Sequence, residues 1–162
     1  MKNKNLSFMT QAAMIAAIYV VLTYIFAPFS FGEVQVRISE ALTILPIFTP
    51  AAIPGLFAGC LIGNILGGAI LPDIVFGSIA TLIGAFFTWK LREQKPVVAT
   101  FPPIISNIII GPFVLRYGYG VTLPIPFMML TVGIGEVISC TVLGLIVYGA
   151  LKKYKSTLFR TA

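Results

Sequence analysis

The chain has 162 residues, of which 58% are hydrophobic and only 10% charged, with a net charge of +6 and a mean hydropathy of +1.00. Soluble domains carry about 25% charged residues, so the composition excludes an ordinary soluble fold and points to one integral membrane domain spanning residues 1–162. Histidine is absent, which removes the commonest metal ligand and general base.

Six apolar runs read as transmembrane helices of an all-α bundle, over residues 7–27, 39–48, 51–71, 73–89, 97–115 and 124–151. The first follows MKNKNLSFMTQAAM without a cleavage site, so it reads as a retained span. Its pairs Ala12/Ala16 and Ala13/Ala17 form overlapping small-xxx-small patterns, a flat face for another span or for a partner helix.

The stretch FGEVQVRISE comes next. Between Gly32 and Ile38, polar Glu33, Gln35 and Arg37 alternate with Val34, Val36 and Ile38, a short extended pattern suited to a lid over residues Phe31–Ile38. Arg37 and Glu40 stand three apart, which equally suits a local ion pair. The second run is shorter than the roughly 20 residues needed to cross the hydrocarbon core. It therefore tilts, starts inside the protein, or joins the irregular segment before it.

The third run holds Gly55, Gly59, Gly63 and Gly67 at intervals of four, a smooth ridge that lets two helix backbones approach closely. It also holds Asn64 and Cys60; the latter and Cys140 lie in apolar runs and read as buried thiols rather than a disulfide. The fourth run opens on Asp73 and Phe76 and repeats the small-residue pattern more weakly in Gly77, Ala80 and Gly84. The fifth carries Asn107 in an Ile-rich setting, followed by Arg116, Tyr117 and Tyr119.

The sixth run contains TVGIGEVISC and its one carboxylate, Glu136. A carboxylate at a helix centre costs about 2.5–3.5 kcal/mol on insertion scales and usually marks a ligand or ion path. Gly133 and Gly135 beside it leave room for a flat ligand or a neighbouring helix. A structural pairing of Glu136 with Arg37 or Arg116 is the competing role.

Basic residues set the orientation. Lys2 and Lys4, then Lys90, Arg92 and Lys95, then Lys152, Lys153, Lys155 and Arg160 fall on one side of a six-span chain, which the positive-inside rule makes cytoplasmic. A five-span chain would separate the N-terminal lysines from the other two clusters. The charge is thus a topology signal and not a nucleic-acid footprint. Glu33, Glu40, Asp73 and Glu136 then gather in the external half.

The stretch VQVRISEALTILPIFTPAAIPGLFAGCLIGNILGG, followed by LPDIVFGSIATLIGA, resembles the queuosine-precursor transporter family. The likeness extends from the first span to the sixth. It implies a substrate-capture (S) component of an energy-coupling factor transporter, a branch of the ABC importers. The S component is a six-helix subunit whose pocket opens outward, in the plasma membrane of a bacterium. In the wider group an Ala-xxx-Ala face on the first helix docks onto a transmembrane coupling protein driven by two cytoplasmic ATPases, and Ala12, Ala13, Ala16 and Ala17 match it. The implied substrate is a 7-deazaguanine base, queuine or a precursor, with no cofactor.

Such a base presents two adjacent N–H donors to a carboxylate, and a carbonyl oxygen that needs a donor. Glu136 is the leading acceptor, with Glu40 and Asp73 as further carboxylates. Asn107, Asn64 and Arg37 are candidate donors; Phe76 and Tyr117 are candidate stacking partners, although interfacial aromatic belts place such residues at the same depth.

An enzyme is disfavoured. The chain lacks nucleophile and metal motifs and the phosphate loop G-x-x-x-x-G-K-[ST], so any ATP hydrolysis belongs to other subunits. A small ion-coupled carrier is the alternative class, since a single intramembrane Glu suits proton exchange. Such carriers ordinarily show an internal repeat, which is not evident here.

Overall fold

The computed structural model describes residues 2–30 and 35–159. The described residues are helical throughout their regular structure, with no strand. Six principal helical segments follow one another: α1 (Lys2–Ile25), α2 (Ile38–Ile47), α3 (Ala52–Leu66), α4 (Asp73–Lys90), α5 (Pro96–Gly118) and α6 (Ile125–Lys152). Four of these, α1, α4, α5 and α6, are long and apolar enough to cross a membrane; α2 and α3 are shorter apolar helices. The chain is a multi-pass membrane protein.

Polarity is arranged inside out relative to a soluble domain. Leu66, Phe76, Ile105, Leu130 and Ile146 are exposed on outer faces, whereas Glu40, Asn64, Asp73 and Glu136 are each at most 3% exposed. Lipid solvates the first set without cost. The second set must find partners within the protein, because hydrocarbon offers no hydrogen bonds.

The glycine ridge of α3 packs on α1. A Cβ at Gly55 would lie 2.7 Å from the Ala12 carbonyl oxygen, one at Gly59 3.1 Å from Ala16 Cα, and one at Gly63 3.2 Å from Thr23 Cβ. The same close approach recurs at Gly84, where a Cβ would sit 2.6 Å from Pro103 Cα on α5. Dispersion between backbones in contact is the main attraction available to helices in lipid, and only glycine permits it at these distances. The alanine face of α1 is thereby divided. Ala12 and Ala16 lie on the side covered by α3, while Ala13 and Ala17 are exposed beside Met14 and Ile18.

Two expected boundaries move. The run at residues 51–71 stops being helical at Leu66, because Gly67 caps it and Gly68 adopts φ +79°, a left-handed conformation open to glycine. Gly67 therefore leaves the ridge and serves as the cap. The first helix begins earlier than expected, at Lys2, and ends at Ile25 ahead of Pro28.

The short run 39–48 is a ten-residue 3-10 helix, α2, with Pro46 inside it and Ser39 through Pro46 all buried. It is the central strut of the bundle. Segments of this type seldom exceed four residues and align side chains three apart, so Glu40 and Thr43 share one face, while Arg37 stands ahead of the helix in an extended conformation. An irregular, fully buried segment of this kind is tolerated at membrane depth only where protein surrounds it.

Candidate functional site

The polar interior is built around α2 and falls into two connected parts. The inner part centres on Glu40 and Glu136. Tyr19 of α1 donates its hydroxyl proton to Glu40 Oε1, and Thr81 Oγ1 of α4 lies 3.5 Å from the same oxygen. Thr43 Oγ1 donates to the Glu40 carbonyl at 2.6 Å, and Cys140 Sγ, one turn beyond Glu136, donates to Glu136 Oε2 at 3.2 Å. Ligating atoms of Glu40, Glu136 and Cys140 all lie within 4.8 Å of one another. Two carboxylates and a thiol this close, fully buried, make a locus for a cationic or N–H-donating group.

Three polar atoms in this region have no hydrogen-bond partner: Glu40 Oε2, Asn107 Nδ2 and Ser139 Oγ. Asn107 faces Glu136 from α5, yet its amide makes no hydrogen bond of good geometry. Leaving a buried donor or acceptor unmade costs about 1–3 kcal/mol each, so unpaired groups of this kind in one place call for a ligand.

The outer part is an ion pair with its supports. Arg37 Nη2 is 3.2 Å from Asp73 Oδ1 and 3.3 Å from Oδ2. Asn64 Nδ2 donates to the Asp73 carbonyl at 3.4 Å, and Tyr119 donates its hydroxyl proton to Asp73 Oδ2 at 2.9 Å. Partial burial, and then the Asp73 carboxylate beside it, push the Tyr119 phenol up to about 12. A Cβ at Gly77 would stand 2.9 Å from Asp73 Oδ1, so the bare glycine gives this cluster its space. The Arg37 guanidinium is also within electrostatic reach of Glu40 and Glu136, which joins the two parts.

The local helix geometry serves these positions. Residues Asp73–Gly77, Val114–Gly118 and Val137–Leu143 are wide π-helical turns within α4, α5 and α6. Such turns recur at functional sites because the extra residue re-aims the side chains around it. Here they adjoin Asp73, Tyr119 and Glu136.

The structure thus brings Glu136, Glu40 and Asn107 together and sets Arg37, Asp73 and Asn64 beside them. Phe76 and Tyr117 stand apart, 52% and 78% exposed, along an outward apolar cleft with Phe113. Arg37 pairs with Asp73 and not with its near neighbour Glu40, since the 3-10 helix directs Glu40 inward to Tyr19. Arg116 is spent on the carbonyls of Thr122 and Leu123. Of the lid stretch, Phe31 to Val34 fall outside the described residues, while Gln35 and Arg37 are buried, and a Cβ at Gly135 would meet the Gln35 carbonyl oxygen at 2.5 Å. Tyr19, Thr43, Thr81 and Cys140 line this interior without having been expected there from the sequence. Two of them were accessible from spacing, because Thr43 follows Glu40 by three residues in a 3-10 helix and Cys140 follows Glu136 by four.

A family model described as QueT transporter matches residues 9–153. The queuosine precursor transporter QueT of Lactococcus lactis subsp. cremoris (strain MG1363) is 33% identical over 84 residues, 51% of this chain and 48% of that protein. The chain therefore spans about half the length of this curated relative. No solved structure matches the chain.

Proposed function

The chain belongs to the QueT transporter family, and from that premise we propose that it is the substrate-capture component of an energy-coupling factor importer, taking up a 7-deazaguanine base from the external side. The observation that supports this reading is the set of unpaired polar atoms around two buried carboxylates. The donor edge of a guanine-like base suits Glu136 and Glu40, and its carbonyl oxygen suits the free Asn107 amide. The precursor that bears an aminomethyl cation gains a further favourable interaction in a site with two carboxylates.

Counting α2 and α3 as crossings makes six spans, which places both termini and the Lys90–Lys95 loop in the cytoplasm. The buried polar cluster then lies in the outer half, under the segment at Gln35–Arg37. A coupling protein and two ATPases would supply the energy, with the exposed Ala13 and Ala17 face of α1 as the docking surface.

Calorimetric titration of the purified subunit with queuine and its aminomethyl precursor tests the reading. Saturable binding without ATP is expected. Uptake that needs no ATPase subunits and follows an ion gradient would replace it with an ion-coupled carrier, and an absence of deazaguanine binding would remove the substrate class.

A further inference from the structure

The bundle has a second concavity at its basic end, far from the carboxylates in chemistry and position. It follows from the shortness of α2. A ten-residue 3-10 helix rises about 20 Å at roughly 2 Å per residue, whereas the hydrocarbon core is about 30 Å thick. The chain turns back at Phe48–Ala51 into α3, while α4 and α6 run on to Lys90 and Lys152. A pit of about 980 Å³ remains beneath the turn.

Its floor is apolar and aromatic. Phe48 stacks between Tyr148, with ring centroids 5.3 Å apart, and Phe159, at 5.4 Å. Its rim is cationic: Arg92, Lys152, Lys153 and Lys155 line the pit, and the one lining carboxylate is Glu93, 3.9 Å from Arg92 and turned to solvent. Four cations against one carboxylate leave an excess of three positive charges around a single hollow. Topology alone asks only that lysines lie on this side. It does not ask that they ring a cavity with a hydroxyl, Ser156, and an indole, Trp89, in its wall. Low-dielectric walls concentrate the field of such a ring on whatever enters. The other clefts given by the described residues are walled mainly by isoleucine, leucine and phenylalanine, and differ in kind.

We propose that this pit is an anion site for a phosphate ester, the chemistry shared by the headgroup of an anionic phospholipid and by a soluble phosphate monoester. Lysine ammonium groups and the Arg92 guanidinium bind phosphate oxygens through charge-assisted hydrogen bonds, and the aromatic floor accepts the apolar part of a lipid.

Trp89 is the sole tryptophan and lines the pit, so its fluorescence reports occupancy directly. The full chain in a neutral detergent is titrated with short-chain phosphatidylglycerol, phosphatidylcholine and inorganic phosphate. A saturable change is expected with phosphatidylglycerol, with at least tenfold weaker response to phosphatidylcholine. Lys152→Gln with Lys155→Gln should weaken it at least tenfold, whereas Lys95→Gln, which removes the same kind of charge outside the pit, should not. Saturation by inorganic phosphate that is lost in the same double variant supports the site and assigns it to soluble esters. Equal responses to the two lipids with none to phosphate, or equal losses from Lys95→Gln and the double variant, would overturn the proposal. Deazaguanine binding, read by calorimetry, should be unchanged in the double variant, which separates this site from the outer one.

Discussion

Arg37 and Asp73, 36 positions apart, form a buried ion pair of 3.2 Å in which neither side chain is more than 7% exposed. The pair ties the residue just ahead of α2 to the N-terminal end of α4. Breaking such a pair from one side leaves a buried charge without its partner, at a cost of about 3–5 kcal/mol. Asp73→Asn should lower the thermal midpoint of the detergent-solubilised protein accordingly. The double change Arg37→Met with Asp73→Leu should cost less than Asp73→Asn alone, since no charge is then stranded. A double change as damaging as the sum of the single ones would show that the two residues act separately.

Glu136 and Asn107 should separate binding from folding. Glu136→Gln replaces one of two acceptor oxygens with a donor; losing a charge-assisted bond weakens binding of a deazaguanine by about 10- to 100-fold. Asn107→Leu removes a buried amide whose Nδ2 faces Glu136 without a hydrogen bond of good geometry. Its stability should hold or rise while binding weakens by about 2- to 10-fold, the value of a neutral hydrogen bond. Calorimetry and thermal unfolding on the same samples provide both readings, and a stability loss with intact binding would make Asn107 a structural residue.

The two sides of α1 should respond differently to bulk. A Cβ at Gly59 would already lie 2.8 Å from Tyr19 Cβ, so Gly59→Leu forces α1 and α3 apart and draws Tyr19 away from Glu40. Overpacking costs about 1–3 kcal/mol, and substrate binding should fall with it. Ala13→Leu, on the exposed side, should leave folding and binding intact and reduce uptake in cells. Reduced binding by Ala13→Leu would argue against a docking role.

Tyr119 should ionise late. Partial burial and the neighbouring Asp73 carboxylate both disfavour the phenolate, which moves its midpoint from 10.0 to about 12. The sign follows: its contribution to stability is complete below pH 10 and fades as pH rises towards 12. Ultraviolet titration of the wild type against Tyr119→Phe should show the missing ionisation near pH 12 and not near pH 10. Asp73→Asn should bring that step down.

The orientation is open to labelling in intact cells. Cys60 and Cys140 are fully buried, so single cysteines can be added without removing them. A membrane-impermeant thiol reagent should modify Thr122→Cys and spare Glu93→Cys. The reverse pattern would invert the bundle and place the carboxylate cluster on the inner side.

The sequence by itself determined the solvent and most of the helices. Hydropathy is a local quantity, and a span is legible wherever about 20 apolar residues run together, which is why α4, α5 and α6 lie within a few residues of their expected limits. The spacing of Gly55, Gly59 and Gly63 likewise marked a close helix contact, because residues four apart share a face in any α-helix. The identity of the opposing face was not local: only the tertiary structure decided that Ala12 and Ala16 receive these glycines while Ala13 and Ala17 do not. The carboxylates divide in the same way. Their burial was implied by their place in apolar runs, and Cys140 stands one turn from Glu136 on the same helix, but Glu40 finds Tyr19 on α1 and Asp73 finds Arg37 from ahead of α2. The Glu40–Tyr19 pairing also involves the pitch of α2. A 3-10 helix turns 120° per residue where an α-helix turns 100°, a difference that accumulates along α2 and sets which neighbours its side chains meet.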